Sequence, residues 1–133
     1  MSQTDPIADL LTALRNASQA RKLLLEVPAS RFKAALLECL KKEGYIQNWR
    51  LLKEGNPQGI LRIYLKYTKD RRPVLRQIHR VSRPGLRIYV PKTKMPKVLS
   101  GLGTAILTTP RGVFSGVEAK RQGLGGEILC KVW

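Results

Sequence analysis

The sequence predicts an α+β protein whose first half mixes helices with strands and whose second half is mostly strand. Two observations carry this reading. Apolar residues recur at helical spacing in two early segments, and from "ILRIYLKY" onward apolar residues tend to alternate with polar ones. The polar stretch "TKDRRP", Thr68 to Pro73, breaks the pattern and marks a candidate boundary between residues 1–67 and 68–133. At 133 residues the chain suits one compact domain or two small ones that share an interface.

Asp5 is placed to cap a first helix, with Pro6 at its first position. Ile7, Leu10, Leu11 and Leu14 then form one apolar face. "KLLLEVP" reads as a short strand that ends at Pro28. Ser30 caps a second helix, whose apolar face is Phe32, Ala35, Leu36, Cys39 and Leu40 and which Gly44 ends. Glu38 and Lys42 are spaced for an ion pair on its outer side. "YIQNWRLL" and "ILRIYLKY", separated by the turn-rich "KEGNPQG", read as a hairpin. In its second strand Leu61, Ile63, Leu65 and Tyr67 alternate with Arg62, Tyr64 and Lys66, so one face is core and the other wet.

Beyond the break, "PVLRQIHRVS" is extended and "RPG", Arg83 to Gly85, is a turn. "LRIYVP" alternates, with Leu86, Ile88 and Val90 facing in and Arg87 and Tyr89 facing out. "KTKMPKVLSGLG" is a basic loop with room for one helical turn, "TAILTT" a buried strand, "SGVEAKRQG" a short helix and "GEILCKVW" a final strand. The strand "TAILTT" runs into "TTPRG", a turn with two hydroxyls, a proline, an arginine and a glycine.

Charge is the strongest functional signal. Twenty-five Lys+Arg oppose nine Asp+Glu, for a net +16. Such a surplus repels itself unless a polyanion neutralises it. Nucleic acid is the commonest such partner, because neutralised phosphates release counterions. Residues 1–67 hold 11 Lys+Arg and 6 Asp+Glu, and residues 68–133 hold 14 and 3, so the second half carries most of the basic surplus. The N-terminus "MSQTDPIADLL" lacks a basic n-region and a cleavage site, and no apolar run approaches a membrane span. A soluble protein of a reducing compartment is expected.

Catalytic chemistry finds little support. Cys39 and Cys130 have no metal-ligand or CxxC spacing and sit in apolar patterns, which suits buried free thiols; their number alone would also permit a disulfide. His79, the single histidine, has no Cys, Ser or carboxylate near it in sequence and reads as a surface or packing residue. "GLGTAI" fails as a dinucleotide loop, since Ile106 holds the third glycine position and the motif precedes a strand instead of following one. No Walker sequence is present. No catalytic residue, metal site, cofactor or small-molecule substrate is expected.

Basic residues do group informatively. Arg87 and Tyr89 on one strand face pair a phosphate-binding or stacking cation with an aromatic surface, or form an ordinary solvated face. Ser30, Arg31 and Lys33 open a helix, where free N–H groups and the dipole favour a phosphate; an ordinary cap with solvated charges is the other reading. Trp49 and Trp133 suit packing better than base stacking.

The strings "TDPIADLLTALRNA", "VPASRFKAALLECLKKEGYI", "LKY", "RVSRPGLRIYV", "MPKVLSGLGTAILTTPRGV" and "EAKRQGLGGEILCKVW" occur in this order. The chain resembles bacterial-type small-subunit ribosomal protein eight from end to end, apart from the loop around Gly55. The resemblance implies two small packed domains, an N-terminal one with two helices on a small sheet and a C-terminal one, mostly strands. It implies no enzymatic activity. It implies direct binding to a helical stem in the central domain of small-subunit rRNA, early in assembly, with ribosomal protein five among the neighbouring proteins. A stem mimic in the protein's own mRNA is a further implied partner, through which some members repress translation. The setting would be the ribosome of the cytoplasm, or of the plastid stroma.

By the same resemblance, the main RNA contact is a hydroxyl-rich turn, usually Ser-Thr-Ser, a basic residue and glycine. Here it reads Thr108, Thr109, Pro110, Arg111 and Gly112, with proline in place of the third hydroxyl. Gly125, Gly126 and Glu127 match a second contact segment, and Tyr89 matches an aromatic used against RNA. "FSGVEA" replaces a segment that usually carries Asp and Arg. The chemistry agrees, since a short hydroxyl both donates to and accepts from a 2′-OH or a base edge in the shallow minor groove. Arg111 would add phosphate charge and the glycines close backbone approach. Glu127 would accept from a base amino group or a 2′-OH, orient Arg111, or form a strand-edge salt bridge. The same surface would serve a free-standing mRNA regulator. An RNA-modifying enzyme would need an acid, base or nucleophile that the sequence does not place.

Overall fold

The computed structural model of the chain describes residues 5–55, 57–96, 98 and 101–133. Helix α1, Pro6–Gln19, begins where the Asp5 carboxylate accepts from the Ala8 N–H at 3.2 Å. It buries Ile7, Leu10, Leu11 and Leu14. Strand β1 follows at Leu24–Pro28. Helix α2, Arg31–Lys42, is capped by Ser30, whose Oγ accepts from the Lys33 N–H at 3.1 Å. Its far end closes on Gly44, at φ +81°, where the Gly44 and Tyr45 N–H groups reach back to the Lys41 and Leu40 carbonyls.

Strands β2, Ile46–Leu52, and β3, Ile60–Leu65, pair antiparallel, and β1 joins the other edge of β3, giving the order β1-β3-β2. The central strand alternates as expected, with Leu61, Ile63 and Leu65 buried.

The second sheet holds β4 (Ile78–Arg80), β5 (Tyr89–Val90), β6 (Thr104–Thr109), β7 (Gly112–Ser115) and β8 (Gly126–Val132). Its order is β4-β8-β6-β7, and β5 pairs with β8. All its pairings are antiparallel. A six-residue helix α3, Gly116–Arg121, joins β7 to β8, with Ser115 Oγ accepting from the Glu118 N–H. The sheet is covered on both faces, which is why β6 and β8 carry unbroken apolar runs. Ile106, Leu129 and Val132 join the larger core with α1, α2 and the first sheet, while Ala105, Leu107 and Ile128 join a smaller core with Val98. The larger core therefore draws on both sides of the Thr68–Pro73 break.

Several local expectations change. Phe32 is exposed, and Leu37 takes a place on the buried face of α2. Glu38 accepts from Trp49 Nε1 at 2.8 Å and forms no ion pair with Lys42, because the indole of the neighbouring strand offers a donor where i,i+4 spacing offers only a solvated one. Leu86 points outward, since Arg83 and Leu86 exchange both backbone hydrogen bonds and close a tight turn beside the sheet. The register thus reaches only Tyr89 and Val90 as paired strand, and "PVLRQIHRVS" contributes only Ile78–Arg80. Cys39 and Cys130 are buried free thiols, both pushed up to about 12 chiefly by burial. His79 stacks on Trp133 at 4.9 Å, and so has a packing role.

Candidate nucleic-acid interface

The hydroxyl turn is the tip of a hairpin. Thr109 pairs with Gly112 across a two-residue loop of Pro110 and Arg111. Proline presets the φ that the first loop position needs, and Gly112 supplies the left-handed φ of +133° with which β7 begins. The sequence shows the turn but not β7, because "GVFS" is four residues long and lacks a clear alternation.

Within that tip the two threonines differ. Thr109 Oγ1 donates to the Gly112 carbonyl at 2.8 Å and accepts from the Arg111 N–H at 3.2 Å. Its hydroxyl proton is therefore committed to holding the turn. The Thr108 hydroxyl has no protein partner among the described residues and is half-buried at the rim of a groove.

That groove, of about 550 Å³, is walled by Tyr89, Val90, Pro91, Thr108, Thr109, Pro110, Gly125, Gly126 and Glu127. Three strands create it. Glu127 on β8 pairs with Tyr89 on one side and Thr108 on the other, so the three side chains share one row on one face. The glycines let the strands converge. A Cβ at Gly125 would stand 2.6 Å from the Val90 carbonyl, and one at Gly126 would collide with the Thr108 carbonyl. They serve the protein's own backbone approach first. Val90 and Pro91 are wall residues that sequence reading did not single out; the alternation of "RIYVP" marks their neighbours but not the closure.

Glu127 is buried, and Arg87 Nη1 donates to its Oε2 at 3.0 Å. Of the roles open to this carboxylate, the salt bridge is the one formed, with Arg87 instead of Arg111. The bond raises the Arg87 pKa, chiefly through Glu127. Half of the Arg87 side chain stays exposed, so its guanidinium presents charge beside the groove while anchored from below. Tyr89, 68% exposed, offers a ring face at the same rim.

The remaining candidates lie apart from the groove. Arg111 and Gly112 line a neighbouring cleft of about 600 Å³ against α2, with Ala35, Glu38 and Phe114. Arg111 is exposed and unpaired among the described residues. Ser30 and Arg31 lie at the start of α2, beside Lys53 and Gln58 of the β2–β3 loop. Lys33 departs from its expected role. It is buried, and its ammonium donates to the Pro28 carbonyl at 3.1 Å, so it ties α2 to β1 and is not a free phosphate ligand. Among the described residues no cluster of His, Cys, Asp or Glu is arranged to hold a metal ion, and no helix is long and apolar enough to cross a membrane.

Comparison with known proteins bears directly on this geometry. The profile of the family described as "Ribosomal protein S8" matches residues 5–133. The "Small ribosomal subunit protein uS8" of Solibacter usitatus is 55% identical over 130 residues, covering 98% of each chain. Its counterpart in Halothermothrix orenii is 49% identical over the whole of both chains. That of Moorella thermoacetica is 52% identical, covering 98% of this chain and 99% of the relative. With a profile match from the capping Asp5 to the terminal Trp133, and half of all residues shared with such relatives, the chain belongs to the ribosomal protein S8 family.

Proposed function

We propose that the groove between Tyr89, the Thr108–Pro110 tip and the Gly125–Glu127 segment is where this structural protein of the small ribosomal subunit, which is not an enzyme, grips a helical stem of the rRNA central domain. One observation carries the reading. An unpaired hydroxyl and an exposed aromatic ring line one groove, and a guanidinium is anchored to its Glu127 wall, in a chain with a net +16 charge. A-form RNA displays 2′-hydroxyls and base edges in its shallow minor groove. The Thr108 hydroxyl can both donate to and accept from such groups. Arg87 adds a phosphate contact, Tyr89 a surface for a base or sugar, and Pro110 a stiff apolar wall where relatives of the resembled pattern carry a third hydroxyl. Arg111, exposed on the outer side of the tip, supplies backbone charge without reading shape.

The proposal includes two partners that follow from the family resemblance: neighbouring ribosomal protein five, and a mimic of the stem in the protein's own mRNA, bound by the same groove. The cytoplasmic ribosome is the proposed setting. The test is binding to a central-domain rRNA transcript in competition with duplex DNA of equal length, combined with hydroxyl-radical cleavage directed from a probe on a cysteine at position 108. Preference for the transcript and cuts confined to one irregular stem are expected. Equal affinity for the DNA would refute the proposal.

A further inference from the structure

The edge of the second sheet beside β8 is one strand in two pieces. β4 pairs Ile78–Arg80 with the end of β8 from Val132 to Cys130, and β5 pairs Tyr89 and Val90 with Glu127 and Gly126. Between the pieces the Val81 and Ser82 N–H groups donate to the Leu129 and Ile128 carbonyls, and the Ile128 N–H donates to the Ile88 carbonyl. β8 therefore runs without a gap, whereas its partner strand loops out at residues 83–87 and returns at Ile88. Arg83 and Leu86 close the outer part of this loop around Pro84 and Gly85, with backbone hydrogen bonds of 2.8 and 2.9 Å.

The neck of the loop is closed by a side chain. The Ser82 N–H is spent on β8 and cannot serve the opposite limb. The Ser82 hydroxyl serves it instead. Its Oγ accepts from the Ile88 N–H at 2.8 Å and donates to the Ile88 carbonyl at 3.2 Å. One hydroxyl, being donor and acceptor at once, thus replaces both groups of a backbone pair. Ser82 is wholly buried. Alanine there would remove this acceptor from a half-buried Ile88 N–H, which is costly to leave unmet.

The neck decides where the chain re-enters the sheet. With Ile88 held opposite Ile128, Tyr89 falls opposite Glu127. The Ile128 to Ile88 bond flanks Tyr89 and Glu127 as a non-hydrogen-bonded pair, the kind that brings cross-strand side chains closest. Arg87 reaches the same Glu127 carboxylate from the last residue of the loop. A slip of one residue would turn Tyr89 to the opposite face of the sheet, away from Thr108.

We propose that Ser82, which stands outside the groove, is a positioning residue for RNA recognition: its hydroxyl fixes the register in which Tyr89 and Arg87 meet Glu127. The inference rests on the reading of the groove as the RNA site and names the residue that sets its aromatic and cationic side. Loop length does not set that register, because the neck is closed beneath the loop and takes the same pair of residues whatever lies above it.

The experiment uses the full-length protein and has two readouts. NMR measures the contact between the Tyr89 and Glu127 Hα protons, which face each other only in this register, and titration measures affinity for a central-domain rRNA transcript. In S82A the Hα contact should disappear and affinity should fall about tenfold, the scale of one lost aromatic stacking contact. S82T, which keeps the hydroxyl, should retain the contact and most of the affinity. In an R87A/Y89A background S82A should lower the melting temperature again but cost no further affinity, since Ser82 acts through those two side chains. A glycine inserted after Gly85 lengthens the loop and leaves Ser82 in place; the contact and the affinity should both survive. This last variant keeps the idea testable should S82A fail to fold. A retained Hα contact in S82A would overturn the proposal, as would an equal affinity loss from S82A in both backgrounds, or a register lost on the glycine insertion. If R87A/Y89A binds the transcript as the wild type does, the groove reading falls, while a lost contact in S82A still upholds the register role.

Discussion

Arg87 donates to a carboxylate, Glu127, that is almost wholly buried, yet half of the Arg87 side chain remains in solvent. The pair is asymmetric, and the asymmetry decides what each substitution does. Removing Arg87 strands a buried charge; removing Glu127 frees a surface one.

Arg87→Ala should therefore lower both stability and RNA affinity, the first because the buried Glu127 carboxylate loses its partner. Glu127→Gln in the same background should recover part of the stability, because an uncharged amide replaces the stranded carboxylate, and none of the RNA affinity. Urea denaturation and filter binding on the two variants check this. Equal recovery of both properties would remove Arg87 from the RNA contact.

The two threonines should separate fold from recognition. Thr109→Ala breaks two turn hydrogen bonds and should destabilise by about 1–2 kcal/mol, while Thr109→Ser keeps both. Thr108→Ala removes a hydroxyl with no internal partner. Stability should stay within about 0.5 kcal/mol, and rRNA affinity should fall about fivefold, near 1 kcal/mol. Thermal unfolding and titration with the transcript measure the two effects. A destabilised Thr108→Ala protein with normal affinity would invert the assignment.

Pro110→Ala tests the residue that replaces a hydroxyl. The fixed φ of proline fits its loop position, so its loss should destabilise by about 0.4–1 kcal/mol through the unfolded chain. Pro110→Ser should show the same loss of stability and, with a donor added at the groove rim, no weaker rRNA binding. Binding weakened by both substitutions beyond the stability change would show that the ring itself touches RNA.

Gly126→Ala should be far more harmful than Gly123→Ala. At Gly126 a methyl group meets the Thr108 carbonyl, so β6 and β8 must separate where the groove forms. At Gly123 there is open space, and the φ of +72° alone opposes a side chain. A loss of about 2 kcal/mol or more is expected at Gly126 and about 1 kcal/mol at Gly123. Chemical denaturation of the pair decides whether the glycines serve strand convergence.

Local patterns in the sequence were faithful where the cause was local. Asp5, Pro6, Ser30 and Gly44 act as caps because a cap needs only its own turn. The alternation of Leu61, Ile63 and Leu65 held because a central strand presents one face to a core. Readings failed where a distant partner decided. Glu38 meets Trp49 from another strand, Lys33 turns onto the Pro28 carbonyl, and Leu86 is expelled by a turn closed through Arg83. The groove shows both cases. The sequence supplied Tyr89, Thr108, Gly126 and Glu127, but their meeting depends on cross-strand register, which no single segment contains.

The remaining prediction concerns Asp5, which caps α1 and also ties it to the second sheet. Its carboxylate accepts from the Ala8 N–H and from Arg80 Nε at 3.1 Å, while Arg80 Nη1 holds the Leu129 carbonyl. Burial pushes the carboxyl up, but the Arg80 and backbone hydrogen bonds outweigh it and hold the group below its ordinary value of 3.8. A lowered folded-state pKa adds stability that is present in full above the unfolded value and is lost as pH falls through the folded one. Asp5→Asn keeps a good cap and removes only the charge. At pH 7 it should destabilise by about 1 kcal/mol, the scale of a partly exposed charge-assisted hydrogen bond. Below about pH 3.9 Asp5 protonates first in the unfolded chain, and the difference should shrink towards zero as pH falls through the lower folded-state value. Parallel denaturation curves from pH 7 to pH 2 measure it. A difference that stays constant across that range would mean that Asp5 acts as a cap alone and that the Arg80 link adds nothing to the joining of helix and sheet.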